Sequence, residues 1–312
     1  MSGPSKELCV VHLVRAHNGI EPFRCFLESY RENPGGIEHD LLIVFKGFTQ
    51  PQHTAEYREL LAQFRYMTLD ISDKGFDITA YFAVAKRYSK QYRYFCFLNS
   101  NSVIMDHDWL KKLHENICQP DVGLAGATGS WQSHGPQSIS WWEVLDVAQQ
   151  HYKVHIQKPF RHRVILAGLA ARNYCRAVDT WNFRLLPVYF DPFPNYHLRT
   201  NAFIISAQMM RGLKCPRIRN KLDAYSFESG KNGLTKQILE KGKKVIVVGR
   251  NGIGYEKEAW CVSKTFRQAD QENLLVADNQ TRDYQFGTPE RREYLSNITW
   301  GFNSHVFAEE VA

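Results

Sequence analysis

The chain has 312 residues, enough for two average domains or one large α/β domain with insertions. With 44% hydrophobic and 23% charged residues it has the balance of an ordinary globular protein, and no run approaches the roughly 18 apolar residues of a membrane-spanning helix. Lysine and arginine exceed aspartate and glutamate by 39 to 32, and this charge of +7 suits phosphate-bearing ligands, nucleic acid or an anionic membrane face without choosing among them.

The opening MSGPSKELCVVHLVRAHNG holds one early lysine and a short apolar run, which reads as a strand and not as a signal peptide. Leu8–Val14 is a buried strand because β-branched residues cluster there without alternation. Residues 20–31 follow as a helix, with Pro22 in the first turn and Phe23, Phe26, Leu27 and Tyr30 at helical spacing. Asp40–Phe45 is a second strand, Pro51–Phe64 a second helix and Tyr66–Ile71 a third strand. Ile78–Arg87 is helical, Tyr94–Leu98 a fourth strand, Asp108–Ile117 a helix and Val122–Thr128 a fifth strand. This alternation predicts a parallel sheet with covered faces whose ligands sit beyond the carboxyl ends of the strands, at Arg15–Glu21, Lys46–Phe48, Asp70–Asp77 and Asn99–Ser102.

Residues 131–195 break the rhythm: WWEVLDVAQQHY reads as a helix, and a stretch rich in arginine, aromatics and proline follows. Regularity returns with a strand at Ala202–Ser206 and a helix after it, then a helix at Leu234–Lys241 and a strand at Val245–Val248. Beyond residue 251 regular patterns are few, and the tail is expected to wrap the domain. The division that follows is a domain at 1–250 in two halves, 1–130 and 131–250 with the insertion 131–195 in the second, and an extension at 251–312.

The seven cysteines are scattered, odd in number and never paired as C-x-x-C, which argues against a disulfide framework and structural zinc and for a reducing compartment, by default the cytoplasm. The histidines form no H-E-x-x-H; His151 and His155 stand four apart without an acidic third ligand. No Walker A loop, no G-x-S-x-G elbow and no nucleic-acid motif is present. The basic balance leaves peripheral contact with an anionic membrane open.

The most informative segment is YFCFLNSNSVIMDHDWL, residues 94–110. An apolar strand stops at Asn99-Ser100-Asn101, and small side chains with oxygen acceptors at i and i+2 of an extended exit reach a ribose and a diphosphate-bound cation together. A plain turn is the competing reading. This run resembles the GT-A glycosyltransferases, family-2-like members especially, in which the strand ends in Asp-x-Asp. RAHNGIEPFRCFLES (15–29) is similar to the family's opening, and KGFDITAYFAVAKRY (74–88) to its third-strand exit; Gly75–Ile78 also resembles rhamnan-synthesis-type transferases. The likeness follows the order of elements over residues 7–250.

That resemblance implies an α/β, Rossmann-like, mostly parallel sheet with helices on both faces and an irregular C-terminal extension. It also implies transfer of a sugar from a UDP-, GDP- or dTDP-linked donor to a hydroxyl of a glycan, glycolipid or polysaccharide, with inversion. The donor would lie against Ala16 and Glu21, with Lys46 and Asp70 at base and ribose, Asp77 near the sugar and Asn99, Ser100 and Asn101 at the diphosphate. Both aspartates of the motif are asparagines here, and neutral amides hold Mg²⁺ or Mn²⁺ weakly, so Mn²⁺ or Mg²⁺ is disfavoured as a cofactor and cationic side chains are expected to stand in for it, with Arg15, Lys46, Lys74, Arg199 and Lys231 as candidates. Glu228, in DAYSFESGKNGLTKQ, matches the region of the family's general base; it could equally cap the next helix or pair with Lys231, and Asp223 is the reserve. Arg199, Thr200 and Asn201 are assigned to diphosphate or acceptor, or simply lead into a strand. Trp131 and His134, on a glycine loop, are candidate acceptor contacts, a core tryptophan being the commoner use. A nucleotidyltransferase and a non-catalytic nucleotide-sugar binder are the rival functions.

Overall fold

The computed structural model describes residues 6–134 and 188–301. The helix expected in WWEVLDVAQQHY and the pair His151 and His155 lie outside the described residues. The first half follows the predicted alternation: β1 (Lys6–Arg15), α1 (Glu21–Glu32), β2 (Asp40–Lys46), α2 (Ala55–Leu60), β3 (Tyr66–Ile71), α3 (Phe76–Tyr88), β4 (Tyr92–Leu98), a short β5 (Val103–Ile104), α4 (Trp109–Ile117) and β6 (Val122–Gly126). The helix expected over 51–64 is shorter, because Pro51–Thr54 wind as a 3₁₀ turn and the chain turns again after Leu60, with buried Leu61 as the anchor.

After β7 (Gly129–Ser130) and β8 (His197–Leu198), which pair with each other, come β9 (Ala202–Ser206), α5 (Ala207–Arg211), α6 (Lys221–Ser229), α7 (Leu234–Glu240), β10 (Lys244–Val248) and β11 (Gly254–Tyr255). The central sheet has the order β11-β10-β6-β9-β4-β1-β2-β3. The pairs β1–β2, β1–β4, β2–β3 and β6–β10 are parallel, whereas β9 lies antiparallel between β4 and β6. The molecule is therefore α/β with a mostly parallel sheet, as the sequence implied. One apolar layer joins α3, α6 and α7 to the sheet through Ile78, Tyr81, Phe227, Leu234 and Ile238; the other joins α1 and α4 through Phe23, Phe26, Trp109 and Leu113.

The tail differs from the expectation of few regular elements. Past an irregular stretch, β12 (Val276–Ala277) pairs with β5, and α8 (Asn279–Gln285) and α9 (Pro289–Trp300) follow. Neither helix shows an apolar stripe. Their starts carry the signal instead: a capping box between Asp278 and Thr281, and Thr288 capping a helix that opens on Pro289.

Candidate active site

The antiparallel course of β9 builds the site. Because β9 runs against β4, its lead-in residues 199–201 lie at the same sheet edge as the carboxyl ends of β1, β2, β3 and β4. Register pairs Ala202 with Leu98, and the Asn201 carbonyl accepts from the Asn99 N–H at 2.8 Å. The exit of β6 joins them, since Thr128 Oγ1 donates to Asn201 Oδ1 at 2.7 Å.

Glu228 stands in the last turn of α6. Thr200 Oγ1 donates to its Oε1 at 3.1 Å, and the Thr200 carbonyl in turn accepts from the Tyr81 hydroxyl at 3.2 Å, so α3, the β9 lead-in and α6 are tied together. Burial, with the charge of Asp77 adding to it, pushes the Glu228 carboxyl up to about 7, against the pull of Thr200, Arg199 and Lys221. Burial also raises Asp77, with Arg15 pulling the other way. A carboxylate at the C-terminal end of a helix, where the backbone dipole disfavours negative charge, fits the same picture. Glu228 does not cap α7, whose N-cap is Gly233, and Asp223 serves as half of the α6 capping box with Asn220, which removes it as a reserve base.

The Asn99-Ser100-Asn101 corner is divided by role. Asn99 Oδ1 accepts from the Asn101 N–H at 3.0 Å and from Ser102 Oγ at 3.1 Å, so the turn uses this side chain and it is corrected from ligand contact to turn former. Ser100 Oγ accepts from Asn18 Nδ2 at 2.6 Å, which ties the β1 exit to the β4 exit. The Asn101 side chain makes no hydrogen bond among the described residues. Arg282 of α8 donates from Nη1 to the Asn101 carbonyl at 3.3 Å, with no carboxylate of the described residues within ion-pair distance. Asn201 Nδ2 is buried beside this corner without a partner among the described residues.

Among the described residues the corner is a poor match for a divalent cation. The two motif positions are amides, one amide oxygen is already engaged, and a guanidinium meets the backbone at the third residue. Among the described residues no group of three His, Cys, Asp or Glu side chains converges to hold a metal.

Several predicted residues take other positions. Lys46 is fully buried, and its Nζ donates to the carbonyls of Ser72 (3.0 Å) and Lys74 (2.6 Å), so it props the β3–α3 loop and does not contact base or diphosphate. Arg199 is paired with buried Asp278 at 2.7 Å and lies over the Phe266 ring at 4.2 Å, which neutralises it as a diphosphate cation. Trp131 packs against Tyr196 and Trp300, donates to the Lys257 carbonyl at 3.1 Å, and at 6% exposure presents no ring face to a sugar. His134 stacks on Tyr225 of α6 with centroids 4.8 Å apart, on the helix that carries Glu228; burial lowers its imidazole to about 4 and keeps it neutral.

The expected donor wall is split between the faces of the sheet. Ala16 sits in a 3₁₀ turn after β1, exposed Glu21 opens α1 and pairs with Arg24 at 3.5 Å, and exposed Asp70 lies opposite Phe45, on the α1 face. Asp77 is on the α3 face, 4.0 Å from Arg15. Sequence reasoning passed over Tyr81, Lys221, Asp278 and Arg282. Of these only Asp278 had a local signal, its capping box; the others are recognisable only once the sheet brings distant segments together.

No protein-family model and no curated protein matches the chain. Solved structures do. Mouse xyloside xylosyltransferase 1 in its apo form matches with 12% identity and a TM-score of 0.39, over 78% of this chain and 85% of that one. A mannosyltransferase from Pyrobaculum calidifontis in complex with GDP-Man and Mn²⁺ matches with 10% identity and a TM-score of 0.44, over 98% and 72%. Core-mannan synthase A from Aspergillus fumigatus, in a Mn/GDP form, matches with 8% identity and a TM-score of 0.34, over 71% and 63%. The likeness to these glycosyltransferases is one of α/β architecture. No helix among the described residues is long and apolar enough to cross a membrane.

Proposed function

We propose that the chain is an inverting GT-A-type glycosyltransferase that moves a sugar from a nucleotide-sugar donor to a hydroxyl of a glycan, glycolipid or polysaccharide. The observation that carries the reading is Glu228: a buried, partly accessible carboxylate held by Thr200, with its proton affinity raised to about 7, on the same sheet edge as the Asn101–Arg282 corner. A base of that strength takes the acceptor proton near neutral pH as the acceptor oxygen attacks the anomeric carbon. The bond from that carbon to the diphosphate oxygen breaks, and the leaving diphosphate gains negative charge that Arg282 and the side-chain amide of Asn101 stabilise without a metal. The nucleoside extends over the β1 exit on the α1 face, toward Ala16, Glu21 and Asp70. The six described cysteines are unpaired, in keeping with a reducing compartment such as the cytoplasm.

A screen of UDP-, GDP- and dTDP-sugars with glycan acceptors, run with EDTA or with Mn²⁺, tests this. One donor is expected to turn over at the same rate in both. Binding of a donor with neither transfer nor hydrolysis would make the chain a binder, and recovery of an EDTA-silenced activity by Mn²⁺ would return the metal to the corner. Arg282→Ala is expected to weaken UDP or GDP binding by about tenfold or more, the usual worth of a charge-assisted contact to phosphate. Arg282→Lys should recover part of it, and unchanged titration calorimetry would place the diphosphate elsewhere.

A further inference from the structure

A cleft of about 510 Å³ opens where the β1 exit and the β3–α3 loop face the segment leading into α6; Arg15, Asp73, Lys74, Phe76, Arg217 and Arg219 line it. Its charge is lopsided. Arg15 is matched by Asp73 at 3.0 Å, whereas Lys74, Arg217 and Arg219 have no carboxylate of the described residues within 4.0 Å. Three like charges converging on a concave surface repel one another in the free protein and focus a positive potential that an anion relieves. Two of them are arginines, whose planar fork binds phosphate or carboxylate through paired N–H donors.

The cleft is also built and held. Arg15 Nε, on its wall, is buried without a partner among the described residues. Gly75 (φ +74°) and Phe76 (φ +52°) are consecutive left-handed residues; for a bulky side chain like Phe76 this is a strained conformation that persists only where the surroundings enforce it. The buried Lys46 supplies that enforcement, donating to the carbonyls on either side of Asp73. The cleft adjoins the reacting centre, since Arg15 reaches Asp77 at 4.0 Å and α3 packs on α6 through Phe82 and Phe227, 5.5 Å between centroids. It lies on the β1–β3 side of the edge and on the α3 face, apart from the corner that follows β4.

We propose that this cleft binds an anionic group of the acceptor, a phosphate or a carboxylate, so that the enzyme glycosylates an acidic acceptor; this rests on the transferase reading of Glu228. Arg217 and Arg219 are exposed, so Arg217→Ala/Arg219→Ala should fold with an unchanged circular dichroism spectrum. Titration calorimetry with glucose 6-phosphate, glucuronate and glucose, on both proteins, reads the site directly. Both acids are expected to bind the wild-type chain at least about tenfold tighter than glucose, with that margin shrinking between about 50 and about 300 mM salt and absent in the double variant. The tighter of the two acids identifies the anion as phosphate or carboxylate. Equal affinity for acidic and neutral sugars would overturn the proposal. So would loss of UDP or GDP affinity in the double variant, which would make the cleft part of the donor site. Failure of UDP, GDP and dTDP to bind either protein would remove the transferase reading and this proposal's premise with it.

Discussion

Glu228→Gln is expected to lower kcat for transfer by about 10²- to 10⁴-fold, the usual contribution of a positioned general base, while leaving donor affinity nearly unchanged. Glutamine keeps the oxygen that accepts from Thr200, so the variant removes the proton-accepting role and little else. In the wild-type chain kcat/KM should rise with pH through a step near 7, where burial and the charge of Asp77 hold this carboxyl, and the step should be missing from the variant. The same shift has a stability consequence of fixed sign. The folded chain binds this proton more tightly than the unfolded one, so the carboxyl supports the fold below about pH 4.5, and that support is lost as pH rises toward 7. Glutamine is neutral throughout, so above pH 7 the variant should be the more stable protein, by an amount on the order of 2 kcal/mol, with the difference closing in acid. Full turnover in a folded variant, or an acid step that survives the substitution, would dismiss Glu228 from the chemistry.

Asp278→Ala is expected to cost about 3–5 kcal/mol in urea unfolding, the range seen when one partner of a buried ion pair is removed. Asp278 is 1% exposed, pairs with Arg199 at 2.7 Å, and accepts from the Gln280 and Thr281 N–H groups at the start of α8. Its loss would leave the Arg199 guanidinium buried over Phe266, whose ring also packs against Arg267, 4.8 Å away. Arg267 is itself buried, lowered to about 9 by that burial with Arg199 adding to it, and among the described residues its guanidinium is bonded to the neutral Gln132, Thr299 and Gln280. Burial raises the Asp278 carboxyl, but Arg199 and the Thr281 N–H outweigh it and hold the group below its ordinary range. The contribution is thus present above the unfolded value near 3.8 and lost as pH falls through the lower folded one. Asp278→Asn should recover the cap, about 1 kcal/mol, but not the pair. An alanine variant within about 1 kcal/mol of wild type would mean that water or a rearranged side chain replaces the carboxylate.

The first half of the fold was legible because its buried strands are nearly continuous apolar runs, as in LCVVHLV with its single histidine, and because α1 carries a stripe through Phe23, Phe26 and Leu27. The antiparallel direction of AFIIS was not legible: four apolar residues and a serine read the same in either direction, and only the register with β4 and β6 settles it. Of the site, the sequence led to Glu228, Thr200 and the Asn99–Asn101 corner, since strand exits and helix ends are fixed by local pattern. It misjudged Lys46, Arg199 and Trp131, because nothing local separates a cation or ring that meets a ligand from one engaged by a carbonyl, a carboxylate or the core. Arg282 lies 181 residues from the carbonyl it touches, beyond the reach of any spacing argument.

The central place of β9 limits how the molecule moves. Hydrogen-bonded on both flanks, it rivets the first four strands to β6 and β10, so the two sides of the sheet cannot swing apart without tearing a ladder. Opening and closing around a substrate therefore falls to the segments that rise from the rim, among them α6 with Glu228 and α8 with Arg282.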